Sequence, residues 1–133
     1  MIGHPVRHRC SPIIDPRRTE SVVPGRVSPV IQGKLVRDRI PEIIESKGEV
    51  PVSRQLTDEE YEPALLSKLF EESQELALAG SRQERLEEAA DVYEVLAAIA
   101  AVNGFSLAEV EAAAEQKRAE RGGFQKKIWL DSW

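Results

Sequence analysis

The chain has 133 residues, of which 41% are hydrophobic and 5% aromatic, and its formal net charge is −5. This length suffices for one domain with a core, the scarcity of aromatics favours helix over sheet, and the acidic balance disfavours a general nucleic-acid binder. The single cysteine, Cys10, excludes an internal disulfide framework. No run approaches the roughly 20 apolar residues of a membrane helix, and no secretory signal is recognisable, so we expect a cytoplasmic protein without a membrane partner.

The first 33 residues differ in composition from the rest of the chain. They contain five arginines against two acids, five of the eight prolines and no Phe, Trp or Tyr, so this segment carries +3 and the remainder −8. Such a segment cannot bury much apolar surface. We therefore predict a disordered tail over residues 1–33 and a helical domain over residues 34–133. The charge pattern leaves open an alternative, an arginine-rich arm that binds anions.

The first helix is expected within LVRDRIPEIIESKG, where apolar residues recur at near-helical spacing. Asp38 has the right chemistry for an N-cap. Pro41 would fall in the first turn, where proline is tolerated, and Gly48 suits the end of the helix. The following EVPVSRQL predicts an extended connection, because Pro51 and its neighbouring valines resist helix formation.

Three further helix starts are marked by capping boxes, in which a Ser or Thr stands three residues before a Glu. The pairs are Thr57 with Glu60, Ser81 with Glu84, and Ser106 with Glu109. The connection around Gly80 is short, so the helices on either side of it should pack as an antiparallel hairpin. The predicted fold is therefore all-α, a bundle of about four helices around this hairpin.

The apolar residues of the two hairpin helices recur three or four positions apart, which predicts one inward face on each helix. On the first helix this face comprises Leu65, Leu66, Leu69, Phe70, Leu76 and Leu78. On the second it comprises Leu86, Ala89, Val92, Leu96 and Ile99, widened by Val95 and Val102.

Acidic residues border these apolar faces. Glu72 and Glu75 are three positions apart on one helix, and Glu88 and Asp91 are three apart on the next, so each pair shares a helix face. Glu75 lies a little more than one turn before Gly80 and Glu88 about two turns after it, so an antiparallel hairpin would bring the two pairs face to face. An exposed, solvated acidic face is one interpretation, because such faces are common.

A metal site is the other interpretation. Facing carboxylates repel each other, and in a partly dry groove each uncompensated charge is costly. Mg²⁺ or Mn²⁺ would relieve this cost, because hard divalent cations prefer oxygen ligands and often recruit substrate phosphates. Neither Cys nor His occurs in this region, which argues against a zinc site.

EESQE at residues 71–75, followed by EEAAD at residues 87–91, resembles the EExxE…ExxD signature of the MazG-like, all-α nucleoside triphosphate pyrophosphohydrolases. The blocks KLVRDRIPEII and KRAERGGF resemble a small stand-alone branch of that superfamily, which is similar to phosphoribosyl-ATP pyrophosphohydrolase. The resemblance extends over Lys34 to Leu130.

The resemblance implies that Glu72, Glu75, Glu88 and Asp91 bind Mg²⁺, with Mn²⁺ as a substitute. Glu71, Glu72 and Glu75 would be catalytic, one of the last two orienting or deprotonating the attacking water. For Glu71 the alternative is a solvent-facing partner of Lys68.

The family reaction cleaves a nucleotide between its α- and β-phosphates, giving a monophosphate and pyrophosphate. We expect a house-cleaning enzyme that acts on damaged or surplus nucleoside triphosphates, assembled as a homodimer or homotetramer. The alternatives are the phosphoribosyl-ATP reaction of histidine biosynthesis and an inactive helical module that only mediates interaction.

Phosphates also require cations from the protein, and two basic groups are candidates. Arginine offers a bidentate fork and lysine a point charge. The candidate substrate-binding residues are Lys34, Arg37, Asp38 and Arg39 before the first helix, and Lys117 and Arg121 in the last. The basic residues of the last helix have an alternative role, because cations at a helix C-terminus complement its dipole.

Overall fold

The computed structural model describes residues 33–133, so the predicted disordered tail lies, apart from Gly33, outside the described part of the chain. Four helices follow one another: α1 (Ile40–Ser46), α2 (Asp58–Leu78), α3 (Arg82–Val102) and α4 (Leu107–Arg121). Within residues 33–133 there is no β-strand. The prediction of an all-α fold with about four helices is confirmed.

Helix α1 begins one residue later than expected. Its N-cap is Arg39, whose side chain makes no capping hydrogen bond, and Pro41 lies in the first turn as predicted. The prediction of Asp38 as the N-cap is therefore wrong. A turn precedes the helix, in which the Ile40 amide donates to the Arg37 carbonyl over 3.0 Å, and this turn leaves Asp38 at the edge of a groove.

Two of the three predicted capping boxes are complete. Thr57 and Glu60 cap α2 reciprocally, as Ser106 and Glu109 cap α4. At α3 the Ser81 hydroxyl accepts from the Glu84 amide over 3.1 Å, but the Glu84 carboxylate accepts from the amide of Gly80 over 2.8 Å. In the second box the Glu84 carboxylate thus binds the amide one residue before the N-cap. This hydrogen bond fixes the tight connection to the first turn of α3.

Helices α2 and α3 form the predicted antiparallel hairpin and provide the main helix–helix packing. Near the connection, Arg85 Nε donates to the Ala79 carbonyl over 3.2 Å, and at the far end Asn103 Nδ2 donates to Glu62 Oε1 over 3.3 Å. Among residues 33–133 the buried residues are few: Leu65, Glu72, Ala79, Val95 and Ala100. One of these five is a glutamate, which sets the hairpin interior apart from an ordinary apolar core.

The predicted inward faces are only partly correct. Leu65 and Val95 are buried, but Phe70 has an exposed fraction of 74%, and Leu66, Leu78, Leu86 and Ala89 are exposed as well. The acids are the reason on α3, where Glu88 and Asp91 occupy partly buried positions at the same end of the helix as Leu86 and Ala89. The inward positions near the turn are therefore shared between carboxylates and apolar side chains.

Helix α4 leaves the hairpin instead of packing along it. It is bent by 105° relative to α3, contacts only α3 among the described helices and buries no residue. It ends at Gly122, whose φ of +83° lies in the left-handed region that favours glycine. Phe124, Ile128, Trp129, Leu130 and Trp133 of the following segment are all exposed.

Among residues 33–133 no single helix has the length and apolar character needed to cross a membrane. Helices α3 and α4 taken together pass that test by length and composition alone.

Candidate metal centre

Three of the predicted acids meet inside the hairpin. Glu72 and Glu75 of α2 and Glu88 of α3 each offer a carboxylate oxygen, and these three oxygens lie within 4.8 Å of one another. The antiparallel packing explains the meeting, because Glu72 and Glu88 are equally far in sequence from Gly80. The hairpin thus places carboxylates from both helices at one depth.

Glu72 is the buried member of the three, with an exposed fraction of 5%. Its Oε1 atom lies 2.7 Å from Nζ of Lys68, while its Oε2 atom is buried and has no hydrogen-bond partner. Oε2 of Glu88 is also buried without a partner. A carboxylate oxygen buried without a donor is costly, so two of them on carboxylates that converge indicate a position that a cation would stabilise.

The electrostatic surroundings of Glu88 and Lys68 support the same interpretation. Burial raises the pKa of Glu88 above its usual value, and the neighbouring charges of Glu75, Asp91 and Glu72 raise it further. Burial lowers the pKa of Lys68, but its hydrogen bonds with Glu72 and Glu71 outweigh burial and leave that pKa raised. Lys68 is therefore a fixed positive charge, and it offsets only part of the negative charge of the acids around it.

Asp91, the fourth predicted metal ligand, lies beside the three carboxylates without joining them. It is not among the acids whose oxygens converge. Its Oδ1 atom instead accepts a short hydrogen bond from Nη2 of Arg37, in the segment before α1. The structure thus places Asp91 next to the three converging carboxylates, where it pairs with a basic residue that was predicted to bind substrate.

Two of the basic residues predicted before α1, Lys34 and Arg39, pair with different acids. Nζ of Lys34 lies 3.6 Å from Oε1 of Glu71, and Nζ of Lys68 lies 3.1 Å from the same oxygen. Glu71 is thus a partner of two lysines and stands outside the converging oxygens. Arg39 pairs with Glu42 on the exposed side of α1, over 3.5 Å.

The residues of the last helix are not brought to this site within one chain. Lys117 and Arg121 are exposed on α4, which has no contact with α2. Their predicted role in substrate binding stays a prediction, and within the described residues it would need a second copy of the chain or a movement of α4.

A groove of about 260 Å³ opens beside the carboxylates, between α2, α3 and the segment before α1. It is lined by Glu72 and Asp91, by the cations Lys68 and Arg37, and by apolar residues. Sequence reasoning missed Lys68, Tyr61 and Glu94 as lining residues. Lys68 had a visible signal, because it stands four residues before Glu72 and three before Glu71 on one helix.

The carboxylates fit a small hard cation. Mg²⁺ binds oxygen at about 2.1 Å, so two of its ligand oxygens lie at most about 4.2 Å apart, and the three oxygens here lie within 4.8 Å of one another, so a small closing movement would suffice. The charges fit as well. Five acids, namely Glu71, Glu72, Glu75, Glu88 and Asp91, face three bases, Lys34, Lys68 and Arg37. The acids therefore outnumber the bases even before Asp38 and Glu94 of the adjacent groove are counted, and a cation would offset part of this excess negative charge.

Comparison with known proteins gives one relative. The chain is similar to an uncharacterized protein of Mycolicibacterium smegmatis, with 54% identity over 54 residues, which are 41% of this chain and 55% of that protein. The chain therefore matches only about half the length of this relative. No protein-family model and no solved structure matches the chain.

Proposed function

We propose that the protein is a Mg²⁺-dependent nucleotide pyrophosphohydrolase, which cleaves the α–β phosphoanhydride of a nucleotide to a monophosphate and pyrophosphate. The observation that carries this proposal is the carboxylate of Glu72, buried with one oxygen unpartnered and facing Glu75 and Glu88. A buried carboxylate oxygen without a donor is expensive to maintain, and a role in holding a cation would account for it.

The metal would be held by Glu72, Glu75 and Glu88, with Asp91 within reach as a fourth ligand. When bound, Mg²⁺ supplies charge neutralisation at phosphate oxygens and lowers the pKa of a bound water. Mn²⁺ accepts the same oxygen ligands. This donor set contains neither sulfur nor imidazole, and it therefore suits these ions better than zinc.

The chain's own residues would then divide the remaining work. Glu75 is exposed while Glu72 is held by Lys68, so we assign to a Glu75 carboxylate oxygen the task of accepting the proton of the attacking water. Lys68 and Arg37 line the groove and would bind phosphate oxygens. Glu71 would position Lys68 and Lys34, since it contacts both.

For the substrate we propose a damaged or surplus nucleoside triphosphate, which makes the enzyme a house-cleaning one. Phosphoribosyl-ATP carries the same scissile bond and is the second substrate to test. The groove of about 260 Å³ is at the small end of the roughly 300–1,000 Å³ typical of ligand sites. This size favours a part of a nucleotide over a macromolecule.

We also propose that the protein acts as a homodimer or homotetramer. Leu66 and Phe70 are exposed one turn apart on α2, and Ala77 continues the same outward face. Together with the exposed aromatics after α4, they form more apolar surface than a chain with so few buried residues can cover alone. A second copy of the chain offers a matching surface, because a two-fold contact pairs like with like.

Sedimentation velocity tests the assembly. Phe70→Asp should shift the protein towards the monomer, because it places a charge in an apolar contact. The matched control is Val52→Asp, which introduces the same charge at a side chain that is fully exposed outside the helices. If both variants sediment like the wild type, the α2 face is not the interface.

The activity is tested by pyrophosphate release from a panel of nucleotides that includes phosphoribosyl-ATP, with and without Mg²⁺. We expect metal-dependent release by the wild type and its loss in Glu72→Gln, with Glu59→Gln, an exposed acid of the first turn of α2, retaining it. If no nucleotide releases pyrophosphate and Mg²⁺ gives no thermal stabilisation, the alternative interpretation, an inactive helical interaction module, is favoured.

A further inference from the structure

The ion pair between Arg37 and Asp91 joins two residues that chemistry would assign to different ligands. Asp91 stands three residues after Glu88 on the same helix, as a fourth metal ligand would, yet its Oδ1 atom binds Arg37. Arg37 lines the same groove as Glu72, where a guanidinium would meet a phosphate. The ion pair therefore keeps Asp91 from binding a metal and keeps Arg37 from binding a phosphate.

Both side chains remain accessible to solutes. The exposed fraction is 56% for Arg37 and 37% for Asp91, so a phosphate entering the groove can reach the guanidinium without unpacking the hairpin. An exposed ion pair of this kind is weak, typically below about 1 kcal/mol. A phosphate group offers arginine a doubly charged, bidentate partner, which makes it the stronger competitor.

We propose that Arg37 and Asp91 form an exchangeable latch that couples metal binding to anion binding. Without an anion, Arg37 holds Asp91 away from the three converging carboxylates. A phosphate group takes the guanidinium, and the released Asp91 completes the oxygen ligands of the metal. The proposal rests on the proposed function, since it requires the metal centre of Glu72, Glu75 and Glu88.

The physical reason for coupling is charge balance. On release Asp91 would lose its positively charged partner and stand uncompensated beside three converging carboxylates, so its release is favourable only when a cation is present. Conversely, the cation gains a ligand only when the anion has engaged Arg37. By linkage, each of the two ligands must then strengthen the binding of the other by the same factor.

Calorimetric titration of Mg²⁺ into the full chain, with and without inorganic phosphate, tests the latch. Inorganic phosphate is the probe because it chelates Mg²⁺ only weakly in solution. For Asp91→Asn we expect a metal Kd within about twofold of the wild type without phosphate, and a Kd at least about fivefold weaker than the wild type with phosphate, the lower end of typical coupling.

Variants of the arginine give the second half of the test. Arg37→Gln should bind Mg²⁺ more tightly than the wild type without phosphate, because Asp91 is already free, and should lose most of the effect of phosphate. Adding Asp91→Asn to Arg37→Gln should return the phosphate-free Kd to the wild-type value. Arg39→Gln is the charge-matched control for the phosphate-free titration, since Arg39 pairs with Glu42 on α1.

Four outcomes would overturn the latch. If Asp91→Asn weakens Mg²⁺ binding equally with and without phosphate, Asp91 is a permanent ligand. If it weakens Mg²⁺ binding in neither condition, Asp91 is not a ligand. Equal tightening by Arg37→Gln and Arg39→Gln would reduce the arginine effect to net charge. In these cases Glu72→Gln still abolishes binding and the metal centre stands, whereas no Mg²⁺ binding by the wild type in either condition overturns both proposals.

Discussion

Glu60 and Glu88 are the same side chain in two surroundings of one hairpin. Glu60, in the first turn of α2, accepts hydrogen bonds from Arg54, over 3.1 and 2.9 Å, and from Thr57. These bonds lower its pKa from 4.5 to about 2, Arg54 contributing most. Glu88 faces other acids and has a buried oxygen without a partner, and burial with those charges raises its pKa.

This difference shows where the acidic side chains find positively charged or hydrogen-bonding partners within the chain and where they do not. At the start of α2 every acid-base requirement of Glu60 is met by residues within six positions. Inside the hairpin Lys68 and Arg37 offset only part of the negative charge of the facing carboxylates. A glutamate whose partners are local is explained by helix capping, whereas among residues 33–133 the buried oxygen of Glu88 has no such partner.

The largest expected effect is on stabilisation by metal. At a Mg²⁺ concentration 100 times Kd, binding adds about 2.7 kcal/mol of stability and should raise the Tm of the wild type by roughly 10 °C. Glu72→Gln should abolish this rise, and Glu60→Gln should keep it even though its baseline Tm falls. Differential scanning calorimetry of each variant with and without Mg²⁺ makes the comparison, and a rise of equal size in all three proteins would refute the centre.

The next effect is on the pH dependence of stability, and the two glutamates should act with opposite sign. The folded protein holds a proton on Glu88 that the unfolded chain releases, so its contribution to stability falls as pH rises from the usual value through the raised pKa. Glu60 contributes stability above pH 4.5, and this is lost as pH falls from there towards about 2.

Urea denaturation at a series of pH values, without metal and at one protein concentration, measures both contributions. Glu88→Gln should flatten the decline on the high-pH side, and Glu60→Gln should flatten the decline on the acid side. Without metal, wild type and Glu88→Gln should differ in the slope of unfolding free energy against pH on the high-pH side. Saturating Mg²⁺ should remove this difference, because the metal stabilises the charged carboxylate. Parallel curves for wild type and Glu88→Gln would contradict the cause given for the raised pKa.

The smallest effect concerns the cap itself. Thr57→Ala removes the hydroxyl that accepts from the Glu60 amide over 3.3 Å, and loss of such a cap costs about 1 kcal/mol. We expect a lower midpoint of urea denaturation with an unchanged Kd for Mg²⁺, since the cap lies at the far end of α2 from Glu75. A changed Kd would show that the two regions are coupled.

The hairpin and its acids followed from the sequence because their causes are local. Capping boxes announce helix starts within four residues, and a short connection forces antiparallel packing, so Glu72 and Glu88 had to face each other. Asp38 shows the limit of that reasoning. A turn held by the Arg37 carbonyl moved the helix start past it, and Arg39 became the N-cap although the local rule favours aspartate there.

The sequence by itself determined the helices, the hairpin and the identity of the acids, because backbone capping and side-chain spacing act over a few residues. Only the tertiary structure decided which acids converge, that Asp91 is taken by Arg37, and that Leu66 and Phe70 face outward. These outcomes depend on contacts between residues up to 54 positions apart. Such contacts arise when buried charge and apolar surface compete for the same inward positions of two packed helices, and spacing along one helix cannot show which of them prevails.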